Sequence, residues 1–170
     1  MGRAPWRQSN TRRASFGSSS PQFALKGKKV DKGVTNVRNT KSRHWRRWLR
    51  PQHRCLVPLT AFSEPSRNAE GRYEPVWFAL DETRPIAFFA GIFVPGWTSV
   101  RKMKEGEVTA DLYGFLATEP NAEVANVHPT AMPVTLTTTV EREAWLAASR
   151  GDAQRLQRPL ADSSLISLPS

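Results

Sequence analysis

The chain has one cysteine in 170 residues, Cys55. No internal disulfide can form, and that usage fits a reducing compartment. No stretch approaches 18 consecutive apolar residues, which excludes a membrane-spanning helix from the pattern. Acids are nearly missing from the first 50 residues, where Asp31 stands alone against 14 Lys and Arg. The other 120 residues carry 14 acids against 11 Lys and Arg, so the net charge of +10 divides into +13 and −3. Tyrosine is scarce at two, but six Trp, eight Phe and a 39% hydrophobic content suffice for one core. A chain this long buries about two-thirds of its unfolded surface. Wholesale disorder is excluded, and the length corresponds to one domain.

A basic first third is either a solvated arm or, folded onto one face, a positive surface that attracts nucleic-acid phosphates with salt-dependent affinity. Two targeting patterns fail. Arg12-Arg13 resembles a twin-arginine signal, but no apolar run follows between Gly17 and Lys32. Met1-Gly2 opens like a myristoylation site, yet position 6 is Trp6. A cytoplasmic location is expected.

Residues 1–20, rich in Arg, Ser and Gly, read as a flexible basic arm. From Phe23 to Asn39, Gly27 and Gly33 punctuate short extended pieces. Ser42 is placed to cap a short helix running to Leu49. Its Trp45, Trp48 and Leu49 share a face, which favours core packing over base stacking, and Pro51 ends it.

Cys55 to Pro58, Val76 to Leu80, Ile86 to Phe93, Leu112 to Thr118 and Val134 to Thr138 read as strands. Asp81 to Arg84 and Lys104 to Glu107 are expected as hairpin connections. Thr138 and Glu141 form a capping box opening a helix to Ala148, with Val140 and Ala144 inward, Trp145 beside them, and Gly151 as its stop. Residues 154–170 read as a tail lying along the sheet. These elements predict an α+β domain over 21–153, with a strongly curved, partly barrel-like, mainly antiparallel sheet and a few short helices.

Four blocks set polar residues in apolar or turn-like surroundings: Thr35-Asn36-Val37-Arg38-Asn39; Arg54-Cys55-Leu56-Val57-Pro58 with Phe62 and Glu64; Thr118-Glu119-Pro120-Asn121; and His128-Pro129-Thr130-Ala131-Met132-Pro133-Val134. In this order and spacing, from about Pro21 to about Ala148, the chain resembles the SOS response-associated peptidase family of abasic-site processing proteins. The resemblance implies binding to single-stranded DNA at abasic sites. It also implies a covalent thiazolidine link made by a cysteine that becomes N-terminal when methionine is removed, and a peptidase activity understood as release of that leading residue.

By the same resemblance the catalytic residues are Asn36, which orients the sugar, Glu64, which shuttles protons, and His128, which protonates the opening sugar ring. Arg38 takes the place of a phosphate-contacting arginine, and Arg43, Arg46 and Arg47 stand as further DNA contacts. The chain departs from the family at Ala61-Phe62-Ser63-Glu64-Pro65, where the pattern is Gly-Phe-Tyr-Glu-Trp. It departs again at Ala131, where the family has arginine, and in one extra residue before Met132.

Ring capture needs an amine and a thiol on adjacent carbons, which only an N-terminal cysteine offers. Here Gly2 follows Met1, and no cysteine precedes Cys55. A truncated or misassigned member, deficient in crosslinking, is the expectation. No metal or other cofactor is expected, since His44, His53, Cys55 and His128 lack paired ligand spacing, and the protein is expected to be a monomer. The competing readings are a non-covalent single-stranded nucleic-acid binder, in which Glu64 and His128 are structural, and a general hydrolase, for which no nucleophile motif appears.

Overall fold

The computed structural model of the protein describes residues 14–21 and 25–169. The strands are β1 (Ser15–Phe16), β2 (Asn36–Val37), β3 (Arg54–Leu59), β4 (Phe62–Arg67), β5 (Tyr73–Ala79), β6 (Ala87–Val100), β7 (Glu107–Thr118), β8 (Met132–Pro133), β9 (Thr135–Leu136) and β10 (Ile166–Leu168). The helices are α1 (Arg43–Arg46), α2 (Ala122–Ala125), α3 (Thr139–Ala147) and α4 (Arg150–Gln154).

A seven-stranded sheet is built on the long β6–β7 hairpin, with β3 and β9 paired to β6 and β1, β2 and β8 paired to β7. Both β1 and β2 run parallel to β7, and the other pairings are antiparallel. A second sheet, ordered β10-β5-β4, packs against one face of the first. The architecture is the expected α+β fold with a strongly curved, partly barrel-like sheet. Among the described residues, no helix is long and apolar enough to cross a membrane.

Side chains alternate across a strand, so the large sheet separates two cores. One face buries Val37, Ile92 and Leu116 beneath Trp45, Trp48, Leu49 and Trp145. The other meets the small sheet through Phe62, Phe78 and Phe89, closed by Val124, Met132, Leu160 and Leu165. Trp45 and Trp48 are therefore core residues, 5% and 8% exposed.

Several expectations are corrected. Asp81 to Arg84 is a turn, but it carries the chain from the small sheet to the large one, because β5 pairs with β4 and β10 while β6 pairs with β3 and β7. Strand β6 runs past Phe93 to Val100, since a bulge between Val94 and Trp97 absorbs Pro95 and Gly96. The capping box of α3 forms as read, but Val140 is 74% exposed and Trp145 is the buried residue. Gly151 does not stop that helix; it lies inside α4, which Ser149 caps. At the start, Ser15–Phe16 pair with β7 and Ser18 bridges to Val34. The end of the expected arm is thus part of the sheet, while 1–13 lie outside the described residues. The tail lies along the small sheet through β10.

Candidate functional site

The face of the large sheet that meets the small one carries a cross-strand row, Cys55–Gly91–Phe115–Asn36, drawn from β3, β6, β7 and β2. Val37 is fully buried in the first core, and alternation turns Asn36 to this opposite face, where it is exposed. In β4, Phe62 and Glu64 point inward and their neighbours outward. Phe62 meets Phe89 at 5.9 Å between ring centroids, Phe89 meets Phe115 at 4.6 Å, and Phe115 meets Phe16 at 5.6 Å. This aromatic ladder runs from the strand that bears Glu64 to the strand beside Asn36.

Half-buried Glu64 projects two residues beyond Phe62. Burial holds its carboxyl above the ordinary value of 4.5, and the nearby charge of His128 pulls it partly back. His128 follows α2, its backbone N–H donating to the Val124 carbonyl at 2.7 Å. That helix begins at buried Asn121, whose side chain accepts from the Val124 N–H. The Nε2 of His128 shares a 2.6 Å hydrogen bond with the Thr130 hydroxyl. Glu64 lies near enough to His128 for the imidazole's charge to act on its carboxyl, and Phe62 on the same face of β4 begins the aromatic ladder; a carboxyl and an imidazole can each exchange protons with a bound polar group.

Arg38 is exposed just beyond β2. It lies close enough to Glu119 that its charge adds to the backbone and Thr118 hydrogen bonds holding that carboxyl low. Gln157 fixes the chain there by donating to the carbonyls of Arg38 and Ala117 at 2.7 and 2.9 Å. Arg43, Arg46 and Arg47 lie elsewhere: α1 packs on the first core, across the large sheet from Asn36 and Glu64. The Arg47 guanidinium stacks over Trp48 at 4.4 Å and Trp97 at 5.4 Å.

Cys55 is half-buried, and burial pushes its thiol up to about 12. Its Sγ and the Val57 methyl fill the space over Gly91, where an added Cβ would come within 2.7 and 2.9 Å of them. Among the described residues, no three His, Cys, Asp or Glu side chains are grouped to hold a metal. The aromatic ladder and Thr130 escape the motif-based reading. The alternation Leu112-Tyr113-Gly114-Phe115-Leu116 carried a signal for the former; nothing in sequence pairs Thr130 with His128.

No match to a curated protein was found. A model of the SOS response associated peptidase (SRAP) family matches residues 5–168, nearly the whole chain. With that extent of agreement, the chain belongs to the SOS response associated peptidase family.

Proposed function

We propose that this protein binds single-stranded DNA at abasic sites, on the face that carries Asn36, Glu64 and His128, and there promotes opening of the abasic sugar. The observation that carries this reading is the closeness of Glu64, its carboxyl raised by burial, to His128, and strand alternation that turns Asn36 to the face of the large sheet on which the small sheet packs supports it. An abasic deoxyribose is a cyclic hemiacetal. Ring opening breaks the C1′–O4′ bond, removes the proton of the C1′ hydroxyl and places one on O4′. Glu64 takes the first proton, His128 supplies the second, and Asn36 hydrogen-bonds the sugar. Arg38 contacts a flanking phosphate.

The family's thiazolidine step requires a cysteine amine and thiol together. The single cysteine of the 170 residues, Cys55, is internal, so no free amine stands beside its half-buried thiol. The 170-residue chain is therefore expected to handle abasic DNA without leaving a stable adduct on a denaturing gel.

Ring opening is measured by adding an aminooxy probe, which traps the aldehyde as an oxime, to an abasic oligonucleotide with and without protein. The protein should accelerate trapping, and Glu64→Gln and His128→Ala should each remove about 10²-fold or more of the effect. Unchanged trapping in both variants would make these residues structural and leave a non-covalent nucleic-acid binder. A covalent adduct formed by the 170-residue chain would contradict the account of the cysteine.

A further inference from the structure

Pro129 stands between His128 and Thr130 and shapes the turn that brings their side chains together. Its ring fixes its own φ and biases His128 toward extended backbone. Both ends of this turn are anchored. On one side the His128 N–H donates to the Val124 carbonyl at 2.7 Å, just past the end of α2. On the other, Met132 is buried in the second core and pairs with Thr118 of β7. Its Sδ accepts from the Asn121 N–H at 3.3 Å, which ties the end of the turn back to the start of α2. The bond of 2.6 Å between the Thr130 hydroxyl and Nε2 of His128 thus lies across a short turn held at both ends.

An imidazole has two nitrogens, and a partner on one decides what the other does. Nε2 is engaged by Thr130, while Nδ1 has no hydrogen-bond partner among the described residues. A hydroxyl oxygen accepts from an N–H whether the ring is neutral or cationic. With the Nε2 proton held in both states, the proton that comes and goes is the one on Nδ1. Glu64 is the carboxyl on which the charge of this ring acts, so a group able to exchange protons with Nδ1 is at hand.

We infer that Thr130 is a positioning residue whose oxygen accepts from Nε2–H of His128, leaving Nδ1 as the nitrogen that delivers the proton to the substrate. The inference rests on the reading that an abasic sugar opens beside Glu64 and His128. In that step the Nδ1–H bond of the imidazolium breaks, and O4′ gains the proton as the C1′–O4′ electron pair moves onto it. The C1′ hydroxyl gives its proton to Glu64 and becomes the carbonyl. His128 is left neutral with its proton on Nε2, the form that the Thr130 oxygen holds. Glu64 then returns its proton to Nδ1, directly or through a water molecule, and both groups are restored. Thr130 orients the ring as a carboxylate orients the histidine of a hydrolase triad.

The test combines imidazole nitrogen NMR of the full chain, without DNA, with the aminooxy trapping assay. The chain has three histidines, and the cross-peaks missing from His128→Ala identify those of His128. At about pH 8, where an ordinary imidazole is neutral, the parent should show an unprotonated Nδ1 and a protonated Nε2. Thr130→Val should move the population toward a mixture of the two forms. Thr130 is exposed, so the melting temperature of this variant should stay within about 2 °C of the parent. In trapping, Thr130→Val should lose about tenfold, less than His128→Ala loses, and Thr130→Ser should recover most of it. Nδ1-methylhistidine placed at position 128 blocks one nitrogen and leaves Nε2 open, and it should lose as much as His128→Ala.

An unprotonated Nε2 in the neutral parent overturns the assignment, because Thr130 would then be the donor. A Thr130→Val variant that traps as fast as the parent, or a methylated His128 that stays active, overturns it as well. In each case the proposed function stands as long as His128→Ala loses trapping. A parent chain that does not accelerate trapping overturns the proposed function and the delivery of a proton from Nδ1 together.

Discussion

At the residue scale, Glu64 is where stability and chemistry pull in different directions. Burial raises its carboxyl above 4.5 despite the His128 charge. Between the ordinary value and the raised one, the folded chain binds more protons than the unfolded chain. Stability therefore falls as pH rises through that window and stays lower above it. Glu64→Gln carries no charge to bury. At pH 7 it should melt at or above the parent temperature, by no more than about 2–4 °C, the shift that about 1 kcal/mol makes in a chain of this size. At pH 4 the two should melt together. Thermal unfolding at both values checks this, and a Glu64→Gln variant that melts lower at pH 7 would show the carboxylate to be a structural partner. The same substitution is expected to lose sugar-opening activity, so a stable but inactive variant separates the site from the scaffold. Thr130 acts at this scale too. Its 2.6 Å bond to Nε2 restrains the imidazole whose charge acts on the Glu64 carboxyl.

At the element scale, the end of α3 depends on one buried arginine from a distant strand. Arg54 of β3 donates through Nε to the Leu49 carbonyl and through one terminal nitrogen to the Trp145 and Ala148 carbonyls, each at 2.9 Å. The last carbonyls of a helix have no partner within it, so this guanidinium joins α3, the turn that follows α1 and the sheet. Arg54→Met should cost about 3 kcal/mol, a fall of roughly 6–12 °C, with the urea m value unchanged. Arg54→Lys, which keeps the charge and loses the fork, should recover less than half. A loss under about 1 kcal/mol in urea unfolding would mean that water satisfies these carbonyls.

The same helix shows how far sequence alone reaches. Thr138 and Glu141 fixed its start, because a capping box is local. Its inward face did not follow from the run of Val140 and Ala144. The rotation is set by Trp145, whose indole N–H donates to the carbonyls of Cys55 and Gly91 at 3.0 and 3.2 Å. Those partners lie 90 and 54 residues away. Likewise Asp81 to Arg84 had legible turn chemistry, with Asp81 accepting from the Thr83 N–H, while the choice of strand partners on either side was non-local. Asn36, Glu64 and His128 were legible as motif positions. The aromatic ladder beside them, built from β1, β4, β6 and β7, was not.

At the scale of the whole molecule, much of the +10 sits on two exposed stretches. Lys28, Lys29 and Lys32 stand exposed ahead of β2, and the α1 arginines lie over the first core. The four ion pairs among the described residues are largely exposed, and such pairs contribute little. Uncompensated positive charge therefore acts against compactness and for polyanion binding, and salt screens both. Raising NaCl from about 50 to about 300 mM, which brings the screening length below about 10 Å, should raise the melting temperature while weakening single-stranded DNA binding. A Lys28→Glu/Lys29→Glu/Lys32→Glu variant, with its formal charge reduced from +10 to +4, should show both responses flattened and a higher melting temperature than the parent at low salt. If the parent instead melts lower as salt rises, attraction outweighs repulsion within the fold, and the basic third would be holding the protein together rather than waiting for a partner.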